Sequence, residues 1–242
     1  MTNMSKASDN RRPAKGGEFE RFSLVFRIQH IGLFVGVIIL IVTGLPLKYP
    51  EAALSEYFFR LIGGIAVSGI VHRVGASLLI AVGVFHMCYI AFTREGRWQF
   101  RHLFPRIKDV TDVFANLKYF FGFSKNGARF GRFSYLEKFD YWAVYWGMVI
   151  MIGTGLMLWF AGKVIALLPK FWIDVAREAH SDEALLATLA IIIWHFYNVH
   201  FNPEHFPMNT VWLNGKLSKD EMKRHHPLEH EELTGEEAEE EQ

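Results

Sequence analysis

Cysteine is almost absent from this sequence, and so is any excess of charge. Cys88 is the one cysteine in 242 residues, which excludes an internal disulfide, a cysteine-ligated iron–sulfur cluster and the Cys-x-x-Cys-His attachment of c-type haem. A cofactor held here takes mainly nitrogen or oxygen ligands. Lys and Arg number 26 against 25 Asp and Glu, a formal net charge of +1, so class is decided by how charge is distributed. The basic, aromatic stretch 94–138 carries no nucleic-acid motif, and flanking apolar runs account for its charge, so no nucleic-acid partner is expected. No cleavable signal is expected either. Residues 1–27 are long, polar and basic, and the apolar run after them is too long for a signal-peptide core.

What is abundant is apolar surface: 51% of residues are hydrophobic and 15% aromatic, with 22 Phe and 7 Trp. These residues fall into four blocks, 31–47, 61–92, 142–164 and 185–199, and charge lies almost wholly between them. A helix crossing a bilayer needs ~20 mostly apolar residues. The blocks meet that need, the last with its histidine-bearing ends included, and predict an all-α integral membrane four-helix bundle. Of the Lys and Arg residues, 6 precede the first span, 10 lie in 94–138 and 4 follow Phe201. The positive-inside rule then puts both termini and the central loop in the cytoplasm.

This divides the chain into a disordered cytoplasmic tail (1–20), a four-span domain (21–210) with a cytoplasmic amphipathic loop (94–138), and a cytoplasmic tail (211–242). In the loop, Ile107, Val110, Phe114, Leu117 and Phe121 recur at helical spacing, which predicts an amphipathic helix in the inner membrane interface. Residues 229–242 read as an acidic, solvated end.

Chemistry is carried by histidines at span ends. His180 and His195 are fifteen residues apart, which leaves them within ~60° of one helix face and ~22 Å apart along the axis. His72 and His86 are fourteen apart, again near one face. His30 lies near the cytoplasmic end of span 1, with Gly44 fourteen residues later. Tyr141 and Gly155 repeat that spacing in span 3, and Thr-Gly recurs at Thr43-Gly44 and Thr154-Gly155, the mark of a weak internal duplication. A face bare of side chains at Gly44 offers either a groove for a flat macrocycle or simple helix packing, and the Gly32/Gly36 pair permits close helix contact. Ionisable residues are costly in a membrane, and one partner using several histidines is the simplest explanation. Neutral imidazole is a usual axial ligand of haem iron, whereas zinc wants its ligands clustered at one level. Arg73 beside His72 suits pairing with haem propionates or snorkelling to the outer surface.

With His30, Thr43-Gly44, His72, Thr154-Gly155, His180 and His195-Phe196-Tyr197 in this order, and Gly215-Lys216-Leu217-Ser218 and His225-His226-Pro227 after them, the chain resembles a known family. It is similar to the di-haem cytochrome b subunits of formate dehydrogenase (the gamma subunit), nickel-iron hydrogenases and thiosulfate reductases, over about 21–232. The resemblance implies two haems b in the bacterial cytoplasmic (inner) membrane, the outer one held by His72 and His180 and the inner one by His30 and His195. It implies electron exchange between the quinone pool, menaquinone or ubiquinone, and a partner of a redox complex, an iron–sulfur subunit or a multihaem cytochrome c. Haem iron with two imidazoles has no open position, which confines it to one-electron transfer. A quinone site is expected at the inner haem, with Asp140, Tyr141 or His86 exchanging protons.

The extra histidines keep alternatives open. The spacing of His72/His86 and His180/His195 resembles cytochrome b of bc-type quinol complexes, in which case His86 replaces His30 on the inner haem. A third haem would use His200 or His205. A reading from another class is a membrane anchor or small transporter whose histidines relay protons or bind a metal, and such a protein would be colourless.

Overall fold

No water reaches the bilayer core to satisfy exposed backbone groups, so apolar runs of this length cross it as helices. The computed structural model describes residues 17–203 and 206–236 and has four helices long and apolar enough to span. The elements are β1 (Phe19–Glu20), α1 (Leu24–Lys48), α2 (Ala53–Ile62), α3 (Ile65–Phe92), α4 (Arg94–Leu103), α5 (Ile107–Phe120), α6 (Tyr135–Trp159), α7 (Ala161–Leu167) and α8 (Phe171–Leu189). Two π-helical turns, Ala190–His195 and Tyr197–Phe201, continue α8, and α9 (Val211–Asn214), β2 (Lys216–Leu217), α10 (Lys219–His225) and α11 (Pro227–Thr234) follow. The spans are α1, α3, α6 and the run Phe171–Phe201, of 25, 28, 25 and 31 residues. The protein is an all-α, four-span membrane protein. Among the described residues its one sheet is the two-stranded antiparallel β1–β2.

Hydropathy alone misjudges the helix ends. The block 61–92 is cut at Gly63 and Gly64, whose φ values of 98° and 108° end α2 and let α3 begin afresh. Span 3 starts earlier than its apolar block because Ser134 and Glu137 form a capping box: Glu137 Oε2 accepts from the Ser134 N–H at 2.7 Å, and Ser134 Oγ accepts from the Glu137 N–H at 3.3 Å.

The chain divides into two units, one drawn from Met1–Arg27, Tyr89–Trp142 and Thr210–Gln242, the other from Ile28–Cys88 and Ala143–Asn209. The second unit contains most of the spans, packed through small residues. Lipid tails are as apolar as leucine, so helices associate in a bilayer largely by close packing. A Cβ on Gly32 would stand 2.9 Å from Val82 Cγ2, and one on Gly75 would stand 2.7 Å from Ile39 Cγ2. The Gly32/Gly36 face is therefore where α3 meets α1. Gly83 admits Met148 in the same way, at 2.7 Å from its Cε.

The first unit is built on a small core, Phe19, Val211, Leu217 and Met222, with a buried ionic cluster nearby. Arg21 and Arg132 both bond the Glu229 carboxylate, and each guanidinium also donates to the other residue's backbone carbonyl. The three side chains are at most 5% exposed. Residues 229–242 were expected to be solvated, yet Glu229 and His230 are buried in this unit; of the rest, 237–242 lie outside the described residues, as do 1–16 of the expected N-terminal tail. The helix α5 is amphipathic as predicted, with a clear division of labour. Its polar side chains bond within the unit, through Lys108–Asp112 at 2.7 Å and Asp109–Lys138 at 2.6 Å. Ile107, Phe114 and Phe120 are 86, 59 and 79% exposed.

His226 gives this unit a pH dependence. Burial, with the Arg21 guanidinium beside it, holds its imidazole well below the ordinary value of 6.5, while its Nδ1 donates to the Gly131 carbonyl at 2.8 Å. The folded form therefore excludes a proton that the unfolded chain takes up, and stability is lost as pH falls below about 6.5. Burial pushes the Glu229 carboxyl up, but Arg21 and Arg132 outweigh it and leave the group below its ordinary 4.5, so the loss continues at lower pH. Hydrogen exchange of α11 amides, corrected for intrinsic rate, is expected to be less protected at pH 5.5 than at 7.5. His226→Gln should flatten that difference, and an unchanged difference would remove His226 as its source.

Candidate functional site

The histidines of the second unit meet in two pairs. His72 of α3 and His180 of α8 have ring centroids 6.3 Å apart with planes at 72°, and His30 of α1 and His195 have centroids 6.5 Å apart with planes at 37°. Two metal–imidazole bonds of about 2 Å, with about 1 Å more from each nitrogen to its ring centre, set two ring centres ~6 Å apart across one metal ion. Each pair has the spacing to hold one ion between two imidazoles, as in six-coordinate haem iron. Among the described residues, no group of three or more His, Cys, Asp or Glu gathers as a metal cluster. Donors that come only in twos suit a metal whose other ligands belong to a macrocycle.

The π turns help set this geometry. Fifteen α-helical steps from His180 overshoot whole turns by ~60°. The wider turns from Ala190 to His195 advance less per residue and reduce that overshoot, so His195 moves toward the face that carries His180. Around His72, the would-be Cβ of Gly44 lies 3.2 Å from the imidazole Cε1, and Thr43 Oγ1 lies 2.9 Å from Nδ1. Around His180, the same positions are taken by Gly155 at 3.0 Å and Thr154 at 3.0 Å. One Thr-Gly pair thus seats the histidine of the following span, twice.

Residues 21–206 match the family described as prokaryotic cytochrome b561. The chain belongs to this family. A comparison with curated proteins gave no match. Membership makes the protein a membrane cytochrome b that binds haem b and takes part in electron transfer.

In this cytochrome the remaining candidates are distributed as follows. His86, the competitor of His30, bonds through Nδ1 to Gln29 Oε1 at 2.8 Å. Gln29, buried in α1, is a residue that sequence reasoning missed, since a lone glutamine in an apolar run carries no spacing signal. Arg73 is exposed, with its guanidinium 5.9 Å from the centre of the Trp159 ring. Asp140 and Tyr141 lie in the second turn of α6 and belong to the other unit, where the Tyr141 ring lies 6.3 Å from that of Phe100. His200 packs on Phe196 and Phe201, and His205 lies outside the described residues. Thr43 and Thr154 were visible as a repeat, but their bonds to histidine were not, because those bonds join different helices.

The glycines have a task that spacing did not suggest. Gly44 aligns with His30 along its own helix, yet the ring it makes room for is that of His72. A methyl group at 3.0–3.2 Å from Cε1 forces the imidazole aside. Gly155→Ala is expected to lower haem content, while Gly153→Ala, on the same helix with nothing within 4 Å of its would-be Cβ, should leave it intact. Equal haem per chain in the two variants would refute this role.

Proposed function

We propose that the protein is a di-haem cytochrome b that passes electrons between a partner redox subunit and the quinone pool. His72 and His180 hold the outer haem, and His30 and His195 the inner. The observation that carries this reading is the pair of imidazole pairs, with ring centres 6.3 and 6.5 Å apart, one drawn from α3 and α8, the other from α1 and the end of the same fourth span. Haem iron so held supplies one-electron transfer. The chain's own part would be to present two imidazole nitrogens to each iron. His30 is assigned to the inner haem because its ring faces that of His195; the Nδ1–Gln29 bond of His86 leaves Nε2 open and does not decide between them.

The lysine and arginine count supports cytoplasmic termini in a bacterial inner membrane, with His72 and His180 toward the outside. An electron crossing between the two levels moves against or with the membrane potential, worth ~2.3 kcal/mol per 100 mV. The exposed apolar face of α5 suits contact with lipid, flanked as it is by basic residues. Co-purification with an iron–sulfur subunit or with a multihaem cytochrome c tells the two partners apart.

Purified protein is expected to carry about two haems b per chain, measured as the pyridine haemochrome, with a shouldered α band in the reduced-minus-oxidised spectrum. A colourless preparation would overturn the proposal in favour of a proton-relaying anchor. Quinone chemistry needs a proton carrier, and Asp140 at the cytoplasmic start of span 3 is the carboxylate assigned to it. Asp140→Asn should slow quinone-driven haem oxidation with haem content unchanged; an unaltered rate would dismiss Asp140.

A further inference from the structure

We infer that Thr43 and Thr154 are positioning residues: their hydroxyls hold His72 and His180 in the Nδ1–H tautomer and set the reduction potential of the haem between them. This rests on the proposed outer haem. The argument is one of counting protons. A threonine hydroxyl has a single proton to donate. Thr43 Oγ1 lies 2.7 Å from the Ile39 carbonyl oxygen, one turn back in α1, and Thr154 Oγ1 lies 2.7 Å from that of Ile150 in α6. With its proton committed there, each oxygen presents only lone pairs to the imidazole Nδ1, at 2.9 Å from His72 and 3.0 Å from His180. The ring nitrogen must therefore be the donor. Nδ1 carries the hydrogen, and Nε2 is left bare as the ligand atom.

The next residue completes the clamp. Gly44 and Gly155 let the imidazole Cε1 approach the helix backbone, where a Cβ would stand at 3.2 and 3.0 Å. Ring position and tautomer are thus fixed by two adjacent residues of a neighbouring span. The device occurs twice with the same two-residue motif, on both sides of one haem.

An imidazole that donates from Nδ1 is a stronger electron donor at Nε2, which favours oxidised over reduced iron. Removing the acceptor therefore raises the potential of that haem alone. The test is a redox titration of the full-length protein, followed in the α band, for Thr43→Val, Thr154→Val and the matching Thr→Ser variants. Valine keeps the shape and removes the hydroxyl, and serine keeps the hydroxyl.

Each valine variant is expected to shift the same one of two haem components upward, with both serine variants at the wild-type value. Where valine costs that haem altogether, full haem retention in the serine variant supports the same conclusion. Unaltered midpoints in both valine variants would overturn it, and so would serine variants that lose haem as the valine ones do, since packing rather than the hydroxyl would then be the cause. Wild-type protein without haem would bring down the proposed function itself, a result distinct from any of these.

Discussion

His30→Ala is expected to remove one of the two haems, and His86→Ala to leave both. The two histidines are the rival fourth ligands, and their surroundings separate them. The His30 ring faces that of His195 at 6.5 Å between centroids, a distance that one metal ion spans. The His86 imidazole bonds the Gln29 side chain through Nδ1 at 2.8 Å, which leaves Nε2 open, so the facing rings of His30 and His195 carry the assignment and the two variants test it. With one imidazole gone, a haem held there would keep one protein ligand of two, and b-type haem has no covalent tether to retain it. Pyridine haemochrome per chain should fall by about half in the His30 variant, as in His195→Ala, with the α band losing one component. The reverse pattern, with His86→Ala losing a haem and His30→Ala losing none, would falsify the assignment and restore the bc-type pairing.

The second large effect lies in the other unit. Glu229→Ala leaves the guanidiniums of Arg21 and Arg132 buried without their carboxylate, and removing one member of a buried ionic cluster costs about 3–5 kcal/mol. Arg21 also stands 3.6 Å from Glu137, but that carboxylate is 40% exposed and compensates weakly. The cluster joins the stretch after β1, the loop before α6 and the start of α11, so its loss should open all three to protease together. Glu231→Ala removes the partner of Arg129, in a pair that is 46 and 24% exposed, and exposed pairs contribute about 0–1 kcal/mol. Limited proteolysis should cut the Glu229 variant much faster than wild type and the Glu231 variant at nearly the wild-type rate. Equal cleavage of the two would show that the buried cluster does not hold the unit together.

Much of the fold could be read along the chain, and the reasons are local. The need to satisfy every backbone group inside a bilayer acts on each span separately, so the four apolar blocks named the four helices. Their ends were less legible. Gly63 and Gly64 break the second block by adopting left-handed backbone, and Ser134 with Glu137 starts span 3 ahead of its apolar part. Periodicity also picked out the amphipathic α5, since Ile107, Phe114 and their neighbours repeat at helical spacing. That its charged side chains are the ones bonded within the protein was not legible, because Lys138 lies far along the chain from Asp109.

The sequence by itself determined the class of protein and the histidines worth suspecting: His30, His72, His86, His180 and His195, at both ends of apolar helices, with a single cysteine leaving mainly nitrogen or oxygen ligands. Spacing left their partners open, since angle and rise along one helix say nothing of what faces it, and only the family resemblance implied His72 with His180 and His30 or His86 with His195. Tertiary structure alone brought His30 to His195 and His72 to His180, tied His86 to Gln29, and turned the Thr-Gly repeat into two seats for imidazole rings. It also brought Glu229 to Arg21 across 208 residues of chain. Such contacts depend on how helices pack, with small residues setting the approach and π turns adjusting the face, and these are properties of the assembled chain.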